Sequence, residues 1–284
     1  MIGFDAIGTI GRLGNQMFQH AALKGIARNR GFEYSLPPEY PQVQIDNYGL
    51  LEAFEMTGVD NIDFTHHKKT TQEAHFHFDE NIFNECLDNT NIVGFFQSEK
   101  YFKHVEDEVR KDYTFKKEWL EPCQEFMKQF EGQEVAFLHV RRGDPNLTDK
   151  RGFKWAYVNL QDQHPVQPLE YYEKALKHFP EDMPVIVFSD SIEWCKEQDF
   201  FKPDRFMFSE PEDKYDDGAL VPYVDLCLMS LCSHAIIANS SMSWWGAWLQ
   251  SNQNKKVIAP KMWFGSAYSH NDTKDLYCKG WKVL

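Results

Sequence analysis

The sequence predicts an α/β protein made of two Rossmann-like domains that face each other across a cleft. Three observations support this fold class. Segments with strand character alternate with segments of helical periodicity. The strands are continuous apolar runs, which is typical of a parallel sheet covered by helices on both faces. The alternation restarts after Gly132, which indicates a second unit of the same kind.

The first unit opens with a strand, a turn, a helix and a second strand. A short apolar strand leads into a turn with three glycines, and residues 17–26 then carry apolar side chains at helical spacing. Gly31 is placed to end this helix, because glycine adopts the left-handed C-cap conformation without strain. The segment FEYSL (32–36) predicts the next strand. This order is the beginning of a doubly wound sheet.

The rest of the first unit has weaker signals. Residues 37–90 mix proline, asparagine, histidine and acidic residues with short apolar runs, and they predict irregular structure with short helices. The segment NIVGFFQSEKYF (91–102) predicts a strand followed by a loop. Residues 104–115 and 117–132 predict two helices, the second ended by Gly132.

The second unit repeats the pattern more clearly. Strands are predicted at residues 134–140, 183–190, 205–210, 234–239 and 255–260, with helices at residues 169–179, 191–201, 221–233 and 241–251. We therefore predict an N-terminal domain of residues 1–131 and a C-terminal domain of residues 132–284.

Charge and composition limit the possible partners. The net charge of −13 argues against nucleic acid and against anionic membrane surfaces. It does not argue against a phosphate ligand, because a few arginines in a cleft can reverse the local field. The hydrophobic content of 42% and the aromatic content of 15% are typical of a folded globular protein.

The cysteines and the N-terminal segment indicate the cellular compartment in which the protein is expected. The six cysteines form no C-x-x-C pair, and we expect free thiols in a reducing compartment. The first residues carry no basic region before an apolar run, and no stretch is long enough to span a bilayer. We expect a cytoplasmic protein without an integral membrane segment; a peripheral position at a membrane that carries lipid-linked glycans is an alternative.

The segment EVAFLHVRRGD (134–144) ends an apolar strand with two permanent positive charges. Ligands of open parallel sheets bind beyond the carboxyl ends of the strands, which is where Arg141 and Arg142 are predicted to lie. A guanidinium group binds phosphate oxygens two at a time, so the pair predicts an anion site, above all for a diphosphate. One alternative is that both arginines form salt bridges with Asp144 and a surface acid. Another is an Arg-Gly-Asp adhesion motif, which the adjoining buried strand disfavours.

Two other strand ends add to the same edge. Asp190 follows one predicted strand, and Asn239, Ser240 and Ser241 follow another and begin a helix. Such residues commonly cap the first N–H groups of a helix, and the same helix end attracts phosphate. An ordinary N-cap is the alternative for each serine.

The glycine-rich turn GTIGRLGNQ (8–16) is a weak motif. It matches neither a P-loop nor a dinucleotide fingerprint, and its useful feature is that Arg12, Gly14 and Asn15 lie on a turn before a helix. The chain has no D-x-D triplet and no cluster of histidines and cysteines with zinc spacing. We therefore predict no metal and no cofactor, and His75 and His77 are expected to be surface residues.

Four motifs in order resemble one known family. GRLGNQMFQHA (11–21), HVRRGD (139–144), VFSDSIEWCK (187–196) and MSLCSHAIIANSSMSWWGAWL (229–249) are similar to the family-11 α-1,2-fucosyltransferases. The resemblance extends from about Gly11 to the segment VIAPKMWF (257–264). It implies a GT-B fold, GDP-fucose as the donor substrate, no metal, and inversion at the anomeric carbon. Pro145 departs from the family, in which many members have tyrosine.

The resemblance also implies roles for single residues. Arg141 would hold the β-phosphate of GDP, and His139 and Asp225 would contact guanosine. Ser240 and Ser241 would hold phosphate, while Arg12 and Asn15 would face the donor sugar and the acceptor, on the N-terminal side. The complete predicted donor set is His139, Arg141, Arg142, Asp190, Asp225, Asn239, Ser240, Ser241 and Gly14. The predicted catalytic set is Arg141, Asp144, Arg12 and Asn15.

The predicted reaction is transfer of L-fucose from GDP-fucose to the 2-hydroxyl of a galactose-type residue on a glycan. Asp144 is the nearest carboxylate for a general base, although a salt bridge to the arginines is favoured for it. The alternatives are another GDP-sugar transferase, such as a protein O-fucosyltransferase, and a non-catalytic module that stacks glycans on aromatic residues. The acceptor glycan and the oligomeric state do not follow from the sequence.

Overall fold

A computed structural model of the protein describes residues 1–38, 49–63, 69–143, 160–210 and 222–284. The chain divides into two compact units. The first consists of Met1–Lys116 and Asn271–Cys278, and the second of Lys117–His270 and Lys279–Leu284. Each unit contains one sheet whose strand pairs are parallel. The predicted α/β class with two parallel sheets is confirmed.

The sheet of the first unit has its first strand in the middle. Its strands are β1 (Ile2–Gly3), β2 (Tyr34–Leu36), β3 (Asn61–Ile62), β4 (Lys69–Gln72) and β5 (Thr90–Val93), in the order β3-β2-β1-β5-β4. Its helices are α1 (Leu13–Arg30), α2 (Leu50–Ala53), α3 (Glu80–Glu85) and α4 (Glu106–Asp112). As predicted, Gly31 ends α1 in the left-handed region, with φ of 70°.

The segment predicted to be irregular contains two strands that were not predicted. β3 and the Lys69–Gln72 strand β4 lie at opposite edges of the sheet. Their side chains are mostly exposed. An edge strand with two polar faces lacks the apolar run or the alternation by which strands are recognised, so the sequence carried no signal for either. The predicted short helices are confirmed by α2 and α3.

The sheet of the second unit is larger and more buried. Its strands are β6 (Ala136–Val140), β7 (Val185–Ser189), β8 (Phe206–Phe208), β9 (His234–Ile236), β10 (Val257–Ala259) and β11 (Lys282–Val283), in the order β11-β10-β9-β6-β7-β8. Every residue of β6 and β7 is buried, which explains their continuous apolar sequences.

The described part of the second unit contains the helices α5 (Lys117–Met127), α6 (Leu169–Leu176), α7 (Ile192–Glu197), α8 (Pro222–Leu231) and α9 (Ser241–Leu249). Trp244 and Trp245 of α9 are fully buried, and Trp248 is 3% exposed. These side chains therefore pack in the interior, and this packing fixes the helix whose first turn lies at the candidate site. Helix α5 packs against α8, so residues 117–130 lie in the second unit. The domain boundary at residue 131 stays a prediction.

Candidate active site

The carboxyl edge of the second sheet collects most of the predicted donor-binding residues. Because the strands of this sheet are parallel, their carboxyl ends share one edge. The residues that follow β6, β7 and β9 are Arg141, Arg142, Asp190, Asn239 and Ser240. The fold therefore brings residues that are distant in sequence to one edge of the sheet, as the polar residues at the predicted strand ends indicated.

A tight turn follows β6 and is held by the residues after β7. Asp190 accepts hydrogen bonds from the backbone N–H groups of Arg142 and Gly143, at 2.9 Å each. The Ser191 hydroxyl donates to the carbonyl oxygen of Gly143 at 3.2 Å. Gly143 has φ of 78°, which only glycine adopts at low cost. Both carboxylate oxygens of Asp190 thus bind backbone, so this residue shapes the turn that carries the arginines.

The two arginines have different surroundings. Arg141 donates from Nη1 to the carbonyl oxygen of Asn239 at 2.5 Å, just beyond the end of the neighbouring strand β9. The Arg142 guanidinium lies over the ring of Trp194, with its central carbon 3.7 Å from the ring centroid. Stacking of this kind covers a face of the planar guanidinium. Its N–H groups point outward in the plane of the group, and this is the direction in which it binds oxygen atoms. Both side chains are partly exposed.

His139 is held neutral inside β6. Its Nδ1 has no hydrogen-bond partner among the residues that the structure describes. The Tyr172 hydroxyl donates to the backbone carbonyl of His139 at 3.1 Å, which fixes the strand. Burial, with a smaller effect from the charge of Arg141, lowers the pKa of His139 to about 3. A neutral imidazole at pH 7 can both accept and donate a hydrogen bond, but it adds no positive charge to the edge.

Asn239 joins three segments. Its side-chain Nδ2 donates to the carbonyl oxygens of Pro165 at 3.0 Å and Trp263 at 3.1 Å. Its own carbonyl oxygen accepts from Arg141. Asn239 is 1% exposed, so these bonds are made in the interior. The geometry gives Asn239 a role in ordering the loops, rather than a direct place on the surface of the edge.

The first turn of α9 lies directly after Asn239. Ser240 is the N-cap residue, and its side chain makes no capping hydrogen bond. This observation does not support the alternative of an ordinary serine cap at Ser240. The first N–H groups of a helix have no partners within the helix and carry a partial positive charge. Together with Ser241 they offer donors to an anion at this edge.

Asp225 lies in the first turn of α8 and contacts the end of β8. Its Oδ1 accepts a hydrogen bond of 2.7 Å from the hydroxyl of Ser209, the residue directly after β8. Burial raises the pKa of Asp225 to about 6, although the bond from Ser209 opposes this shift. The negative charge of this carboxylate is thus costly in its buried surroundings. A ligand that donates N–H groups would remove that cost.

The predicted residues of the first unit lie at the turn between β1 and α1. Arg12 is the exposed N-cap residue of α1, and Gly14 is buried in its first turn. Gly11 has φ of 77°, and a Cβ atom there would lie 2.4 Å from Nδ2 of Asn15. Asn15 accepts a 2.7 Å hydrogen bond from Nε2 of Gln97, in the loop after β5. The turn thus holds Asn15 in one position.

Three further residues at these sites were missed. Trp194 supports Arg142, and Gln97 orients Asn15. The third is His164: burial, together with the charge of Arg141, lowers its pKa to about 4. Gln97 lies shortly after the predicted strand at residues 91–93, so the strand-end argument would have found it. No sequence signal connects Trp194 or His164 to the arginines.

Two other predictions are limited by the part of the chain that is described. Asp144 lies outside the described residues. Within the described ranges no group of three or more histidine, cysteine, aspartate or glutamate side chains could hold a metal ion. None of the helices in these ranges is long and apolar enough to cross a membrane.

Over residues 2–284 the sequence matches the family described as Glycosyl transferase family 11. The chain belongs to this family. The family resemblance of the four motifs is thereby confirmed, and with it the general class of glycosyltransferase.

The curated relatives of this chain bear several names. The alpha-1,2-colitosyltransferase of Escherichia coli is 29% identical, and the match covers 89% of this chain and 90% of that protein. The O-antigen biosynthesis glycosyltransferase WbnK of Escherichia coli is 34% identical, but the match covers 51% of this chain and only 44% of WbnK. Galactoside alpha-(1,2)-fucosyltransferase 2 of Sus scrofa is 24% identical over 88% of this chain and 71% of its own length.

Solved structures with a similar fold include a fucosyltransferase. The NodZ alpha-1,6-fucosyltransferase soaked with GDP-fucose gives a TM-score of 0.54 at 15% identity, covering 92% of this chain and 94% of NodZ. POFUT1 in complex with GDP gives a TM-score of 0.54 at 12% identity, covering 91% of this chain and 97% of POFUT1. At these identities the likeness is one of fold.

Proposed function

We propose that the protein transfers L-fucose from GDP-fucose to the 2-hydroxyl of a galactose-type residue on a glycan, with inversion and without a metal ion. Membership of glycosyltransferase family 11 and the names of its relatives support this proposal. GDP-fucose is the donor soaked into NodZ, whose fold is similar. The GT-B arrangement predicted from the sequence, with two domains across a cleft, is part of the proposal.

The observation that carries the proposal is the braced cationic turn after β6. Asp190 fixes the backbone of Arg142 and Gly143, and the carbonyl of Asn239 and the ring of Trp194 orient the two guanidinium groups. The first turn of α9 follows Asn239 in the chain. Two braced cations and a helix N-terminus, all after the strands at one sheet edge, are complementary in charge to a diphosphate.

This site would act on the leaving group. In glycosyl transfer the bond to the leaving oxygen breaks early, and the sugar ring becomes oxocarbenium-like, as in glycoside hydrolysis. The departing GDP then carries increasing negative charge. Donors that are already in place stabilise that charge without further reorganisation, and removing one of them costs about 3 kcal/mol in the barrier. In our proposal Arg141 makes this contact with the β-phosphate, and Arg142, Ser240 and Ser241 add to it.

The guanine base would be recognised by Asp225 and His139. A carboxylate can accept two N–H bonds from the edge of guanine, while adenine and uracil offer no such pair. Among the described residues, the Ser209 hydroxyl donates to Oδ1 of Asp225. The raised pKa indicates that neighbouring protein groups compensate its charge only in part. Arg12 and Asn15 in contact with the sugars, and Asp144 near the acceptor hydroxyl, stay predictions.

We also propose a reducing, cytoplasmic location. All six cysteines are free thiols, and five of them are buried. Free thiols persist where glutathione and thioredoxin keep them reduced, and this supports the proposed compartment.

A second candidate function is transfer of colitose rather than fucose. It is favoured by one observation: the alpha-1,2-colitosyltransferase matches at 29% identity over 90% of its length, whereas the galactoside fucosyltransferase matches at 24% over 71%. Both candidates use the same leaving-group site and differ in the sugar that it carries.

The deciding experiment is a donor and acceptor screen. Purified protein is incubated with GDP-fucose, GDP-colitose, GDP-mannose, UDP-galactose or no donor, and with a β-galactoside or a β-glucoside acceptor. We expect a fucosylated galactoside whose linkage, determined by NMR, is α-1,2. Transfer from GDP-colitose alone would favour the second candidate. Absence of transfer from every GDP-sugar would overturn the proposal.

A matched pair of variants connects the activity to the site. Arg141→Ala removes the proposed phosphate contact. Arg205→Ala removes an arginine that directly precedes β8 and therefore lies at the opposite edge of the same sheet. We expect loss of transfer in the first variant and retained transfer in the second. Equal activity of the two variants would show that the charge at the carboxyl edge is not used.

A further inference from the structure

The loop after β5 carries an exposed aromatic residue that the proposed function has not used. Phe95 is 41% exposed, while the adjacent Phe96 is fully buried. Strands β1 and β5 are hydrogen-bonded neighbours and parallel, so residues 94–97 and the turn at residues 8–12 leave the sheet at the same edge. Phe95 therefore lies on the same edge of the first unit as Arg12 and Asn15.

Two glutamines connect the loops into one surface. The buried side chain of Gln19 donates from Nε2 to the carbonyl oxygens of Ile10 and Gly94, at 3.1 Å each. Gln97 donates to Asn15 at 2.7 Å. One loop cannot move without breaking bonds to the other, so the surface formed by Asn15 and Phe95 is preorganised.

A carboxylate holds Phe95 in its exposed position. Glu73 follows β4, and its Oε2 accepts from the backbone N–H of Phe95 at 2.8 Å, while its Oε1 accepts from that of Phe96 at 3.0 Å. Phe96 has φ of 50°, which is unfavourable for a bulky residue. Its ring packs edge-on against Phe4 and Tyr101. This strained backbone sends the Phe96 ring inward and leaves Phe95 at the surface, and strain of this kind is concentrated at functional sites.

The chemistry of this surface fits a sugar. A galactose ring has one apolar face of C–H groups and a rim of hydroxyls. An exposed aromatic ring on the same sheet edge as a fixed amide offers a partner for each. We propose that Phe95 is the stacking platform for the acceptor galactose residue, with Asn15 contacting a hydroxyl and with Glu73 as the positioning residue of the platform. The inference rests on the proposed function, because that function supplies the galactose-type acceptor.

The test separates acceptor use from donor use. We compare Phe95→Ala, Phe95→Tyr and the control Leu87→Ala. Leu87 is 54% exposed and precedes β5, so it lies at the opposite end of that strand. Phe95→Ala should lower kcat/KM for the galactoside about tenfold, which corresponds to about 1.4 kcal/mol, through a higher acceptor KM. Phe95→Tyr and Leu87→Ala should stay near wild type.

GDP affinity and hydrolysis of GDP-fucose without acceptor should be unchanged in all three variants. A Phe95→Ala protein with the acceptor KM of Leu87→Ala, or with weakened GDP binding, would overturn the inference. If wild-type protein transfers no sugar to any galactoside, the proposed function itself has failed. This outcome differs from a failure of the inference about Phe95, in which wild-type protein is active and Phe95→Ala behaves like the control.

Glu73 is tested through its coupling to Phe95. Glu73→Gln keeps the size of the side chain but replaces one accepting oxygen with an NH₂ group. We expect a higher acceptor KM with GDP affinity unchanged, and we expect the Glu73→Gln/Phe95→Ala protein to be no worse than Phe95→Ala alone. Additive losses in the double variant would show that Glu73 does not act through Phe95.

Discussion

Asp225→Asn should make the protein more stable and at the same time a weaker binder of GDP. The substitution keeps the shape of the side chain and an oxygen that can accept the hydrogen bond from Ser209. It removes a charge that burial makes costly, as the pKa of about 6 indicates. The proposed ligand is expected to bind that charge.

The size of the stability effect follows from the pKa. The ordinary value for aspartate is 3.8, and each unit of difference corresponds to about 1.4 kcal/mol. A raised pKa in the folded state means that the stabilising contribution is complete below pH 4 and is lost as the pH rises through 6. The variant should therefore match wild type near pH 4 and be more stable by at most about 3 kcal/mol at pH 7.5.

Binding should change in the opposite direction. Two N–H donors from guanine stabilise the charged carboxylate, so GDP binding lowers the pKa of Asp225 and releases a proton near pH 6. Wild-type affinity for GDP should thus increase as the pH rises from 5 to 7.5. Asp225→Asn should lose about 1–3 kcal/mol of GDP affinity at pH 7.5, as for a hydrogen bond to a charged group.

The assays are chemical denaturation across this pH range and calorimetry with GDP, ADP and UDP. Asp204→Asn serves as the control, because Asp204 is exposed in the same unit. Full preference for GDP in Asp225→Asn would remove Asp225 from the guanine site. A stability difference that does not grow with pH would refute the argument from its pKa.

Three further predictions concern the cationic turn. Arg141→Ala should slow transfer by a few hundredfold, a barrier increase of about 3 kcal/mol, while the protein stays folded; Arg141→Lys should restore little, because an ammonium group lacks the planar fork, and near-normal turnover in either variant would exclude the phosphate contact. Asp190→Ala leaves two partly buried N–H groups without their acceptor, so the free energy of unfolding should decrease by about 1–3 kcal/mol and GDP affinity should decrease. If denaturation and calorimetry show no change, the hydrogen bonds of Asp190 to the turn are not needed. Transfer should continue in excess EDTA after metal stripping, since the chain has no D-x-D triplet; activity lost and then restored by magnesium or manganese would contradict this.

Most of the second unit could be predicted because its strands β6, β7, β9 and β10 are buried along their whole length. The sequence of β7 consists of apolar residues up to Ser189, and a short apolar run between turn signals is typical of a buried strand. The strands of the first unit were harder to predict, since β4 has the polar sequence KTTQ and lies at a sheet edge. Its pairing depends on the neighbouring strand β5, which the local sequence does not reveal.

The candidate site also has some features that the sequence predicts and others that it does not. The edge at which Arg141 and Arg142 lie follows from the topology of parallel sheets, so the sequence was sufficient to place them. The partners of Asp190 were not predictable, because a sequence pattern does not indicate which backbone N–H groups a carboxylate will meet. For the same reason, stacking of Arg142 on Trp194 is visible only in three dimensions.

The return of residues 271–278 to the first unit has a consequence for how the chain folds during translation. Asp275 accepts hydrogen bonds from Lys100 at 2.6 Å and from the backbone N–H of Phe78 at 3.3 Å, so the first unit is completed by residues synthesised long after the rest of it. The following residues pair β11 with β10 and complete the second unit. Neither unit is a continuous stretch of sequence. Domains usually fold one by one as they leave the ribosome, but here both reach their final contacts only when the same short segment has emerged, which couples the last step of folding in one unit to that in the other.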